Sequence, residues 1–170
     1  MYNKGKFVVH KNEGVCIIDE ISVNNFGSGD IKYYIMHKFF CRQNENCKIM
    51  LPISSCSQIR DVISPVDADF IINNISDATY VWKKEDKRKK DTFVEVLFNG
   101  NSADIRDLLF TVSKVKADNA NTKKGLPLTD KTVVNFVEKY IMEELAVALN
   151  CDITEVSNQI SKNLVLINKI

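Results

Sequence analysis

The residues able to do chemistry in this chain are few and scattered. His10 and His37 are its two histidines. One closes an apolar run, FVVH, and the other stands inside a second, YYIMHK, so each reads as a surface or barrel-wall imidazole rather than a general base. Asp67 and Asp69 fall near a helix start, where a carboxylate caps backbone N–H groups and meets the favourable end of the helix dipole. Glu143 and Glu144 are adjacent on a helical stretch, so their carboxylates point apart and make no acid–base pair. Phosphate-cradling GxGxxG and GxxxxGK[ST] loops, a GxSxG elbow and an HExxH zinc motif are all missing from the sequence. The five cysteines, Cys16, Cys41, Cys47, Cys56 and Cys151, are odd in number and contain no CxxC pair. That pattern suits free thiols in a reducing cytoplasm better than a disulfide framework or a zinc site. Without convergent titratable groups or a cofactor cradle, the expectation is a non-enzymatic protein with no cofactor and no metal.

One segment stands apart, VWKKEDKRKK at 81–90. Residues 83–90 hold six basic and two acidic side chains, whereas the rest of 63–170 holds nine basic and fourteen acidic. Positive charge gathered beside the chain's one tryptophan is the composition of a phosphate-binding surface with an apolar wedge or stacking ring. It is equally the composition of a wet basic helix face next to a core Trp. Under the first reading Trp82, Lys83, Lys84, Lys87 and Arg88 are the DNA-contacting candidates.

The elements that must position these residues have two textures. Residues 1–62 read as short β-branched or aromatic runs (7–9, 15–18, 31–40 and 48–53) separated by turns at 12–14, 24–30 and 43–46. In the last run Ile49, Leu51 and Ile53 share one face by the period of two, and Lys48 and Met50 share the other. Pro52 belongs at an edge or strand end, because it cannot donate to a ladder. The expected fold is a small SH3-like or Tudor-like β-barrel whose open edge can accept a partner strand. From Pro65 onward the period is helical. Ile105, Leu108, Leu109 and Val112 make one stripe, and Val133, Phe136, Val137, Tyr140, Ile141, Leu145 and Ala148 make a longer one. Gly100 stops a helix, Asn101 or Ser102 caps the next, Thr129 caps the long one, and Asp152 opens a last helix with Ile153, Val156, Ile160, Leu164 and Ile167 on one face. That face can pack internally or on a second copy. ADNANTKKG at 117–125 reads as a loop.

Composition sets the outer bounds. With 170 residues, 45% of them apolar and 26% charged, and only 6 Gly and 3 Pro, the chain is of globular and not disordered or fibrous type. The net charge of +1 announces no global attraction to nucleic acid or membrane, so such a partner must be met by a local patch. The first fifteen residues contain no signal-peptide apolar region, and no run approaches the roughly 18 apolar residues of a spanning helix, so the expected location is the cytoplasm, with no membrane partner.

FVVH, Gly14-Val15 followed by two apolar residues, GDIKYYI at 29–35, KIMLP at 48–52 and Ile59-Arg60 together resemble the CarD family of bacterial transcription regulators. The second half agrees, with Trp82, Asn99-Gly100-Asn101, the 105–112 helix, Gly125-Leu126, Asp130-Lys131 and Glu144-Leu145-Ala146 in the family's order. The resemblance implies a Tudor-like module, shared with transcription-repair coupling factor, that docks on the RNA polymerase β subunit. Val23, Lys32, Lys48 and Met50 would be its polymerase-binding positions. It also implies a helical domain that presents Trp82, with Lys84 and Lys87, to the minor groove of promoter DNA at the upstream edge of the bubble. Met50 stands where many relatives carry Arg, Glu85 replaces a common basic residue, Trp82 lies about one helical turn farther from Gly100, and Lys11 follows His10 where the family has Pro.

The expected architecture is therefore α+β in two domains, a polymerase-interacting β-barrel at 1–62 and an all-α DNA-contacting bundle at 63–170. The expected function is regulation of transcription through open-complex stability, with largely sequence-independent DNA contact. The competing expectation is a protein-interaction adaptor without DNA activity.

Overall fold

The computed structural model describes residues 1–25, 29–41, 48–83, 88–120 and 125–167. Contacts gather the chain into two compact units, Met1–Val62 and Ile63–Ile170.

The first unit is a five-stranded antiparallel sheet in the order β4-β3-β2-β1-β5, built from β1 (Phe7–His10), β2 (Gly14–Asn25), β3 (Asp30–Lys38), β4 (Lys48–Pro52) and β5 (Ile59–Asp61). β1 and β2 are joined by a short turn in which Gly14, paired with His10, takes φ of +79°. That left-handed conformation is open to glycine without the Cβ penalty other residues meet. Val8, Cys16, Ile18, Tyr34, Met36, Leu51 and Ile59 form the core on one side of the sheet, with Tyr2, Ile49 and Ile53 packed against it. The ladder between β2 and β3 slips between Ile18 and Glu20, so Asp19 is an extra, bulged residue. A bulge adds twist and re-aims the strand beyond it. The sheet does not close into the small barrel expected from the sequence, and its edges stay open as expected. β4 and β5 are the two edges of the sheet and a 3₁₀ turn at Ile53–Gln58 connects them without a ladder between them. Five and three residues of strand are too short to meet around the core, which side chains from the turn and the N-terminus cover instead. β3 also ends at Lys38, two residues before the expected limit.

The second unit holds α1 (Pro65–Asn73), α2 (Lys89–Asn99), α3 (Ser102–Ala120), α4 (Leu128–Leu149) and α5 (Ile153–Ile167), with a 3₁₀ turn at Ile75–Asp77. The stripe of α3 is buried through Ile105, Leu108, Leu109 and Val112, and that of α4 through Val134, Val137, Tyr140, Ile141 and Leu145. Val156 and Ile160 of α5 are buried within this same unit, and Asn163 Nδ2 donates to Ile72 O at 2.9 Å. α3 continues to Ala120, so residues 117–120 are helix and not loop, and Asn119 donates back to Val115 O. Asn101 caps α3 by accepting from Ala103 N and Asp104 N. Thr129 is not the cap of α4, which starts at Leu128 with Pro127 before it. Gly100 has an ordinary φ of −70° but no room: a Cβ there would sit 2.4 Å from Val96 O.

Two carboxylates tie the helices at their ends. Glu144, buried in α4, accepts from Ile63 N at 3.0 Å and fixes where the unit's chain begins. Asp67 accepts from Ser102 Oγ at 2.5 Å and from Ser64 Oγ at 2.6 Å, joining the N-termini of α1 and α3. Among the described residues no buried side-chain nitrogen or oxygen lacks a partner. The hydrogen bonds from Ser102 and then Ser64 hold the Asp67 carboxyl below its usual range. Its folded pKa is therefore below its unfolded one, and its contribution is present above the ordinary Asp value and lost as pH falls below about 4. In chemical denaturation, Asp67→Asn should be less stable than the parent at pH 7, and the gap should close toward pH 3. A gap independent of pH would assign the effect to packing alone.

Candidate functional site

Residues 78–83 run between the 3₁₀ turn at Ile75–Asp77 and the start of α2 without helix or strand, and Ala78 is extended. What holds them is a hydrogen bond from Val81 N to Thr111 Oγ1 at 3.0 Å, whose acceptor is fully buried in the middle of α3. Trp82 is half-buried. Its ring lies 5.9 Å from that of Phe93, a buried residue of α2, at 53°. Lys89 Nζ lies 5.3 Å from the Trp82 ring centre, where the negative face of the indole attracts a cation. Trp82 thus has Phe93 and Lys89 as ring neighbours and keeps part of its surface in solvent.

The basic run divides by what each residue touches. Lys89 is buried and its ammonium is 3.5 Å from Asp130 of α4, so it serves the fold. Lys83, Arg88 and Lys90 are exposed, and Lys90 Nζ lies 5.4 Å from the Phe136 ring. Lys84 and Lys87 lie outside the described residues. The run has two described residues before α2, Lys83 and Arg88, and two within it, Lys89 and Lys90. It brings Arg88, Lys89 and Lys90 to the N-terminus of α2, with Asp91 as the acidic residue of the first turn. The exposed surface continues in residues that composition did not single out. Tyr80 is 43% exposed and Lys114 Nζ lies 5.5 Å from its ring and 6.0 Å from that of Phe110. The signal was there in the Phe110–Lys114 spacing of one helical turn, although nothing local joins it to Tyr80.

In the first unit the polymerase-binding candidates fall into two pairs. Val23 stands opposite Lys32 on β2 and β3, in the register of Tyr34 and Leu51 and hence on the core-side face beyond the core's end. Lys48 stands opposite His37 and Met50 opposite Ile35, on the other face. All four are exposed. The sheet does not bring them to one face, although Lys48 and Met50 share an edge strand, with Met50 at 47% exposure.

The other chemistry-bearing groups have structural partners. Burial pushes the His10 imidazole down, and its Nδ1 accepts from Asn12 N at 3.3 Å, closing the β1–β2 turn. His37 Nδ1 lies 2.9 Å from the bulged Asp19. Glu143 lies 3.6 Å from Lys139, one turn back on α4, while Glu144 turns to Ile63. Among the described residues no three His, Cys, Asp or Glu side chains gather as a metal site, and no helix is long and apolar enough to cross a membrane. Cys16, Cys56 and Cys151 form no disulfide, but Cys41 is disulfide-bonded. The odd count and the missing CxxC did not exclude that, because a bridge needs proximity in space and not a short motif.

Residues 2–63 match the family model of the CarD-like/TRCF RID domain. No curated protein matches the chain.

Half-burial fixes what Trp82→Ala should do. The loss should be about 2 kcal/mol in denaturant titration, below the ~3–5 kcal/mol of a fully buried aromatic. Emission of the single tryptophan should be quenched by acrylamide. A loss of ~4 kcal/mol together with a blue-shifted, protected emission would place the ring in the core.

Proposed function

We propose that this chain, whose residues 2–63 match the CarD-like/TRCF RID domain, is a non-enzymatic regulator of transcription. In this reading it docks on the polymerase β subunit through the open sheet and contacts promoter DNA through the Trp82 segment, thereby setting the lifetime of the open complex.

The family match carries the polymerase half of this reading. Supporting it, β4 is an edge strand whose outer backbone groups have no neighbour in the sheet order, and an unpaired edge accepts an extended partner strand. Lys48 and Met50 lie on the exposed face of that edge and would meet the side chains of such a partner. Since Met50 brings no charge, the contact is weak and transient and relies on apolar packing.

The DNA half rests on the cations at the start of α2. A helix N-terminus carries partial positive charge, so Arg88 and Lys90 there oppose the dipole by about 0.3–1 kcal/mol each. An anion at this end removes the penalty, and phosphates are the anion that backbone N–H groups and lysines bind together. Lys83, Lys84, Lys87 and Arg88 would hold phosphates without reading sequence, and the exposed part of Trp82 would sit against a distorted base step and oppose reannealing.

In pull-downs with polymerase, Met50→Asp in the full chain should abolish co-purification while leaving the melting temperature within a degree or two, as expected of an exposed residue. Replacing Lys83, Lys84, Lys87 and Arg88 together by Ala should leave polymerase binding intact. It should also reduce the slope of log affinity for promoter DNA against log salt by about 3–4. If the salt slope does not move and polymerase binding persists, the chain is an adaptor without DNA activity.

A further inference from the structure

Beside the Trp82 segment the second unit has a cavity of about 410 Å³ that enters neither the sequence reading nor the function just proposed. Tyr80 and Lys83 line it from the extended segment, Phe93 from α2, and Asp104, Asp107 and Leu108 from α3. Its size lies at the lower end of small-molecule sites, about 300–1,000 Å³.

The lining is specific in kind. Phe93 and Leu108 are buried and supply apolar walls, while Tyr80 is 43% exposed and offers a ring at the mouth. Each carboxylate has one oxygen engaged: Asp104 Oδ2 accepts from Asn101 N at 3.0 Å, and Asp107 Oδ1 accepts from Arg106 Nε and Nη2 at 3.0 and 2.8 Å. The second oxygen of each carries no hydrogen bond to a described residue. Lys83 adds an exposed ammonium at the rim. A ligand suited to this set has a flat apolar body, an edge of N–H donors and a negative charge a short distance from that edge. An unpaired nucleotide has all three.

We propose that this cavity receives a base of unpaired DNA, stacked against Tyr80, with its amino edge toward Asp104 and Asp107 and its phosphate on Lys83. The proposal rests on the DNA reading above and adds a ligand and a specificity to it. Cytosine can turn its exocyclic amine, a donor, toward the carboxylates, whereas thymine carries a carbonyl oxygen at the same ring position and is repelled there. Stacking of a base on an aromatic side chain is worth about 1–3 kcal/mol, roughly a 5- to 150-fold change in affinity, and does not depend on duplex geometry.

The test uses the full chain and three DNAs of equal length and charge: a closed duplex, the same duplex with an internal stretch of unpaired cytosines, and that stretch made abasic. In anisotropy titrations the unpaired-cytosine DNA should bind about tenfold more tightly than the other two. Tyr80→Ala should erase this preference and Tyr80→Phe should keep it, with melting temperatures unchanged. A stretch of unpaired thymines should bind no better than the abasic DNA. If the three DNAs bind equally, or if Tyr80→Ala weakens all of them alike, the base site is overturned while the phosphate contacts stand. Thymines bound as tightly as cytosines would overturn the role of the carboxylates. If none of the DNAs binds, the DNA reading itself fails and the base site fails with it.

Discussion

The hydrogen bond from Val81 N to Thr111 Oγ1 is the constraint on which the candidate nucleic-acid surface depends. The segment 78–83 belongs to no helix or strand, so its backbone groups must find partners singly. A threonine in the middle of a helix ordinarily returns its hydroxyl to its own backbone. Here the helix is anchored by a buried apolar stripe, and the hydroxyl is presented to another part of the chain. The segment is thereby tied to α3 at Val81. One residue on, Trp82 meets Phe93 of α2 and Lys89, which is held in turn by Asp130 of α4. Elements from three helices thus define the place of a segment that has no regular structure of its own.

The sheet unit meets a different demand. An edge strand free to take a partner strand is also free to take a wrong one. β4 is only five residues long, begins with Lys48 and ends with Pro52. A lysine and a proline at the ends are common ways of protecting an edge, since neither favours an indefinite ladder. What remains between them is short and includes Met50, an adaptable apolar side chain. So short an edge limits the number of backbone hydrogen bonds a partner strand could make with it.

How much of this the sequence disclosed depends on how local each cause is. The β1 and β3 runs were legible as β-branched and aromatic stretches between turns, and β4 by its period of two, with Leu51 inward and Met50 outward. The Asp19 bulge was not, because it breaks that period and shows only in the partner strand's register. A small open-edged barrel was expected from the number of strands in so short a segment, whereas barrel formation depends on whether β4 and β5 can meet. Helical stripes in α3 and α4 were plain, yet the end of α3 was misread because Asp, Asn and Ala at 117–120 resemble a loop until Asn119 is seen bonding Val115 O. At the site, Trp82 and the basic run were legible as composition. The division of labour within the run was not: the partner that removes Lys89 from it, Asp130, is distant in sequence, as is Thr111 from Val81.

That division carries a consequence for the link between folding and binding. Three successive cations open α2, at the end where the dipole disfavours them. Asp91 in the first turn and Asp130 from α4 answer part of this charge, chiefly at Lys89. Lys90 gains the face of Phe136, an exposed cation–π contact worth about 0.5–1 kcal/mol. Arg88 precedes the helix without a side-chain cap, where Ser, Thr, Asp or Asn would be favourable. A start so composed is poorer for the isolated protein than an acidic, capped one, and is better only when negative charge is supplied from outside. Any anion bound there in the folded state stabilises the helix it binds, by the mass action that makes affinity and stability one quantity. Arg88 and Lys90 thus stand at the helix end where their charge costs the fold and where a bound anion would offset that cost.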